Sequence, residues 1–145
     1  MDVEVSRSVA ATPPQVAQVM FDPRRDPEWI GGAKAVDPPA GSATQIGARV
    51  RRHGGFLAKK FSWVTEVVDH VPDRLLRMSF VEGPMKGGEV RYRIEPQGAG
   101  SRVSILNRGT ASFSVPGMKW FLRRSVAADL RRLAALVEGS SHTRG

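Results

Sequence analysis

The sequence has no cysteine in its 145 residues, which excludes a disulfide framework and any thiolate metal site. Its three histidines, His53, His70 and His142, stand far apart and share no metal-ligand spacing. No Ser/His/Asp arrangement occurs, and Gly83-Pro84 and Gly87-Gly88 punctuate a loop and do not form a phosphate cradle. On these grounds neither a metal nor a cofactor is expected. No apolar run approaches the ~20 residues needed to span a bilayer. The opening MDVEVSRSVA lacks both the basic start and the apolar stretch of a secretory signal. The expectation is a cytoplasmic protein without membrane insertion.

What is present is a basic, globular composition: net charge +8, 41% hydrophobic and 25% charged residues. The excess charge is spread over pairs such as Arg24-Arg25, Arg51-Arg52, Lys59-Lys60, Arg123-Arg124 and Arg131-Arg132. There is no long basic run, helix-turn-helix signature or zinc-finger spacing, so no nucleic-acid partner is expected.

Periodicity supplies the architecture. Val3, Val5 and Val9 alternate with polar residues in a first strand. Thr12-Pro13-Pro14 reads as an N-cap followed by proline in the first helical turn, and Asp26-Pro27-Glu28-Trp29 as a second short helix. From Lys34 onward the pattern is strands and turns. Ile46, Ala48 and Val50 share one strand face, and Gly54-Gly55 marks a hairpin tip. Phe61, Trp63, Thr65 and Val67 share a face of the next strand, and Val90, Tyr92 and Ile94 of a later one. The last strand runs from Ser101 to Ala111. Short connections between such strands predict an antiparallel meander with one covered face.

One long helix, opened by Pro116-Gly117, is available to cover it. At ~100° per residue, Met118, Leu122, Val126, Leu133, Leu136 and Val137 form an apolar stripe, with Phe121 and Leu130 on its shoulders and Trp120 off the face. Gly139-Ser140-Ser141 is expected to end the helix, giving a single domain over 1–138 and a flexible tail over 139–145. Asp129 interrupts the stripe, with Ser125 one turn before it. A buried carboxylate needs a partner, and Arg7, on the Val3/Val5/Val9 face, is one on paper. Three readings stay open: an Arg7–Asp129 ion pair, an edge position that reaches water, or a polar anchor for a ligand.

The order of strand, two short helices, six-strand meander and long helix resembles the helix-grip fold of the START-like (SRPBCC) superfamily. That superfamily includes the birch-pollen-allergen-like proteins and the polyketide cyclase/dehydrase and lipid-transport group. The resemblance rests on Val-Glu-Val-Ser-Arg-Ser-Val at 3–9, Asp-Pro-Glu-Trp at 26–29 and Ile-Gly-Ala-Arg-Val at 46–50. It continues with Glu-Val-Val-Asp-His-Val-Pro-Asp-Arg at 66–74, Tyr-Arg-Ile-Glu-Pro at 92–96 and Ala-Asp-Leu-Arg-Arg-Leu at 128–133. It implies an α+β fold in which a curved antiparallel sheet of about six to seven strands wraps the long C-terminal helix.

It also implies a cavity between sheet and helix. Mapped onto this sequence, the wall is expected from Trp29, Phe61, Trp63, Met78 and Phe80 on one side and Tyr92, Met118, Phe121 and Leu122 on the other. Trp29 is a candidate lid, and Met85 an adaptable filler. Among polar groups, Arg7, Tyr92 and Asp129 are the catalytic candidates, with Thr65 and Asn107 able to face inward. His53 reads as a solvated loop residue. An unaided phenol with pKa about 10 is a poor base, so no catalytic constellation is recognised. The expected function is binding or transport of a lipid, polyketide or aromatic metabolite by a monomer or weak homodimer. The alternatives are a polyketide aromatase/cyclase or dehydratase, and a regulatory protein such as a toxin–antitoxin component.

Overall fold

The computed structural model describes residues 2–56, 58–109 and 117–143. Strand β1 (Val3–Val9) is followed by helix α1 (Pro13–Met20), a 3₁₀ turn (Pro23–Arg25) and the single-turn helix α2 (Asp26–Trp29). Strands β2 (Ala33–Asp37), β3 (Arg49–Phe56), β4 (Lys59–Val71), β5 (Leu75–Glu82), β6 (Glu89–Gln97) and β7 (Gly100–Arg108) follow, and then helix α3 (Met118–Thr143).

Local chemistry explains the helix starts. Thr12 caps α1 as its sequence position predicts. Its N–H donates to Gln15 Oε1 at 2.8 Å and its hydroxyl accepts from the Gln15 N–H, a reciprocal capping box. The helix turns Val16, Ala17, Val19 and Met20 into the core. Asp22 accepts from the Arg24 N–H at 3.1 Å and so opens the 3₁₀ turn.

All seven strands join one antiparallel sheet in the order β1-β7-β6-β5-β4-β3-β2. β2 to β7 are the expected meander, and β1 returns to lie beside β7. The sheet curls round α3, which is the helix-grip fold. The side chains alternate as a sheet with one covered face requires: Trp63, Thr65 and Val67 are buried from β4, Leu76, Met78 and Phe80 from β5, Val90, Tyr92 and Ile94 from β6. At the far end of the sheet, the Ala10 N–H donates to Glu138 Oε2 at 2.9 Å, tying the end of β1 to α3.

Three local expectations are corrected. Gly54-Gly55 is not a hairpin tip: β3 continues to Phe56 and pairs it with Lys59. These glycines mark a close crossing, since a Cβ on Gly54 would lie 1.8 Å from the carbonyl oxygen of Gly32. Ile46 is 61% exposed, because the chain turns there and extends only from Arg49. α3 passes the stop expected at Gly139 and runs to Thr143. The expected strand end at Ala111 and helix start at Pro116 fall outside the described residues.

Candidate functional site

Between the concave sheet face and the first half of α3 lies a cavity of about 540 Å³. Each element contributes by its own period. β4 brings Phe61, Trp63 and Thr65, alternate residues of one face, and the neighbouring strands add Met78 and Phe80, then Val90 and Tyr92, then Ile105 and Asn107. Register sets them side by side: Thr65 opposite Phe80, Met78 opposite Val90, Tyr92 opposite Ile105. From α3 come Met118, Leu122, Ser125, Val126 and Asp129, spaced as one helical face. Trp29 of α2 closes one side, and Lys59, Pro84 and Met85 belong to the wall near the strand ends.

The apolar wall is interrupted by a buried charged group. Arg52, 5% exposed, donates from Nε to Asp26 Oδ2 at 2.5 Å and from Nη1 to Thr65 Oγ1 at 2.6 Å. Asp26 is 1% exposed and Thr65 2%. A lone buried ion is costly, but a hydrogen-bonded pair is tolerated, and removing one partner of such a pair costs about 3–5 kcal/mol. Burial pushes the Asp26 carboxyl above its ordinary range while the Arg52 charge opposes that shift. Arg52 and Thr65 line the cavity; Asp26 holds Arg52 from behind.

A second carboxylate reaches the wall from α3. Asp129 accepts a hydrogen bond from the Gly31 N–H at 3.0 Å and another from Arg132 Nη2. Arg132 in turn donates from Nε to the Trp29 carbonyl at 2.9 Å. These bonds pin the end of α2 to α3 and hold Trp29 in place against Tyr92, with ring centroids 5.8 Å apart. Burial raises the Asp129 carboxyl above its usual range, against the pull of the Gly31 N–H and the Arg132 charge. The Trp29 indole N–H is buried and has no hydrogen-bond partner among the described residues. Tyr92 is held firmly as the neutral phenol, first by burial and then by the nearby Asp26 and Asp129 charges.

Eight of the nine residues expected on the wall lie there: Trp29, Phe61, Trp63, Met78 and Phe80, then Tyr92, Met118 and Leu122. Phe121 does not. It is 48% exposed and packs on Trp120 at 5.2 Å between ring centroids. The reason is angular: Phe121 stands about 140° round the helix from Val126, which faces the core. Of the catalytic candidates, Tyr92 and Asp129 come together in the cavity and Arg7 stays away. Arg7 is exposed on the edge strand β1 opposite Val103, and the Arg7–Asp129 pair does not form. Thr65 and Asn107 face inward, whereas His53 lies on the outer face of β3 beside Asp37, at 2.8 Å. Asp26 and Arg52 are the buried charged residues of the site that sequence reasoning missed. Arg52 shares parity with Val50, which was the available signal; no comparable local signal marks Asp26. Among the described residues, no group of three or more His, Cys, Asp or Glu is placed to hold a metal ion.

Comparison with known proteins places this geometry in context. The family described as polyketide cyclase/dehydrase and lipid transport matches residues 1–138. No functionally curated protein matches the sequence. The structure of TTHA0849 from Thermus thermophilus superposes with a TM-score of 0.81 at 19% identity, covering 97% of this chain and 99% of the other. The Zhui aromatase/cyclase from Streptomyces sp. R1128 gives 0.78 at 18% identity, with 95% and 93% covered. Ara h 8.0201 gives 0.69 at 11% identity, with 96% and 98% covered. At these identities the likeness is one of fold.

Proposed function

Because the chain belongs to the polyketide cyclase/dehydrase and lipid-transport family, we propose that it binds an apolar small molecule in the cavity between its sheet and α3. The observation that carries this reading is the cavity itself. Protein interiors normally pack with few voids larger than a water molecule, and a space of about 540 Å³ falls in the usual range of ligand sites, ~300–1,000 Å³. Its wall is mostly apolar with a few convergent polar groups, the pattern that buries a hydrophobic body and orients one polar end. Native mass spectrometry of the full chain, taken from cells without denaturation, is expected to show a retained small molecule. No adduct, together with no thermal shift from a panel of polycyclic aromatics, would sink the reading.

A second reading is favoured by one observation: Arg52, Tyr92 and Asp129 all lie on the same wall. In an intramolecular aldol closure, a carbon–carbon bond forms to a carbonyl carbon and that carbonyl oxygen takes up charge. Arg52 and Tyr92 are donors suited to such an oxygen, and Asp129 is a carboxylate suited to accept the proton lost from carbon. Incubation with a linear poly-β-ketone separates the readings. Cyclised product above the spontaneous rate, lost in Tyr92→Phe, supports catalysis; retention of unchanged ligand supports binding alone.

A further inference from the structure

The cavity wall carries a cation, Arg52, and a cation facing an apolar cavity ordinarily suggests an anionic ligand, such as a carboxylate. The surroundings of Arg52 argue the reverse. We propose that the cavity selects uncharged, oxygen-bearing ligands and rejects carboxylates of the same shape, because Asp26 already neutralises Arg52. This inference rests on the cavity being the ligand site, as proposed above.

The charges around the cavity can be followed one by one. Asp26 is almost wholly buried and takes the Arg52 Nε–H at 2.5 Å, while Nη1 is committed to the Thr65 hydroxyl at 2.6 Å. The pair is therefore neutral as a unit. Asp129 places a carboxylate on the same wall that is likewise already satisfied, by the Gly31 N–H and by Arg132. Its counter-ion Arg132 has a side chain 47% exposed and turns toward the Trp29 carbonyl. Lys59 is the remaining cation of the wall and is solvent-exposed near the strand ends. A ligand carboxylate entering this space would meet the Asp129 carboxylate on the wall and one guanidinium already paired with Asp26 behind it. It would lose its hydration without gaining a counter-ion, and buried ions are stable only with one.

A ketone or alcohol oxygen meets no such penalty. The Tyr92 phenol, kept protonated by burial and by its acidic neighbours, is a neutral donor. The Asn107 amide and Ser125 hydroxyl add neutral polar groups to the same wall. All three can hydrogen-bond an uncharged oxygen at no cost in ionic desolvation.

The test is calorimetric titration of the full chain at neutral pH with an isosteric pair, 2-acetylanthracene and anthracene-2-carboxylate. The ketone is expected to bind, and the carboxylate on the order of 100-fold more weakly, the scale of a like-charge juxtaposition. Asp26→Asn leaves the Arg52 charge uncompensated, so the carboxylate-to-ketone affinity ratio is expected to rise on the order of tenfold or more. Should that variant fail to fold, Asp129→Asn removes the carboxylate on the wall itself and is expected to raise the ratio less, on the order of a few-fold. Equal affinities in the wild type, or tighter binding of the carboxylate, overturn the proposal while leaving the cavity as a ligand site. Binding of neither compound removes the cavity reading itself, and this inference with it.

Discussion

The two halves of α3 carry the same apolar periodicity and meet different surroundings. From Leu130 to Val137 the helix is sealed: Leu130, Leu133, Ala134 and Val137 are each at most 1% exposed, within a core shared with Val16, Met20 and Val103. From Met118 to Asp129 the corresponding face borders the cavity. A hydrophobic stripe records which side of a helix avoids water, not whether a side chain or an open space lies opposite. What distinguishes the halves is polarity: Ser125 and Asp129 interrupt the stripe only where the helix faces the cavity.

The contrast can be broken with truncations. Leu133→Ala in the sealed half is expected to cost about 2–5 kcal/mol, since it opens a new void in close-packed surroundings. Denaturant midpoints measure it. Leu122→Ala in the open half should cost less than about 1 kcal/mol, because its side chain already borders empty space and little further cavity is created. Equal losses from the two truncations would show that the halves do not differ in packing.

The smallest expected effect concerns Asp129 and sharpens the comparison through pH. Its carboxyl is raised in the fold by burial, so the folded state holds that proton more tightly than the unfolded chain does. The Asp129 contribution to stability therefore falls as pH rises from the ordinary carboxylate value, 3.8, through the raised one. Urea midpoints of wild type and Asp129→Asn compared across that window should show the wild type losing ground as pH increases. A difference independent of pH would mean that Asp129 behaves as a surface acid.

Much of the fold was legible because it depends on local period. Phe61, Trp63, Thr65 and Val67 announce one strand face, and Thr12-Pro13-Pro14, an N-cap followed by proline, announces α1. The site was legible only where it coincided with those periods, as at Met78, Tyr92 and Leu122. Arg52 stands beside Arg51 and His53, a run that looks solvated, although its parity with Val50 turns it inward. Asp26 sits in a charged, proline-flanked turn, and what buries it is a strand residue 26 positions away. Asp129 illustrates the same limit. Parity put Arg7 on the covered face of β1, but it could not show which part of that face the carboxylate meets. Its partners are a backbone amide 98 residues distant and an arginine one turn along its own helix. Long-range pairings of this kind follow from how the sheet curls, which no local pattern encodes.

The placement of the three tryptophans has a consequence in optical terms. Trp29 and Trp63 lie on the cavity wall, 1% and 8% exposed, whereas Trp120 is 54% exposed on the outer side of α3 with Arg124 over its ring at 4.8 Å. The chain thus separates its own chromophores into two that border the cavity and one that faces water. Replacing Trp120 by Phe leaves an emission spectrum that comes wholly from the cavity wall. Occupancy of the interior then becomes visible without attaching a label.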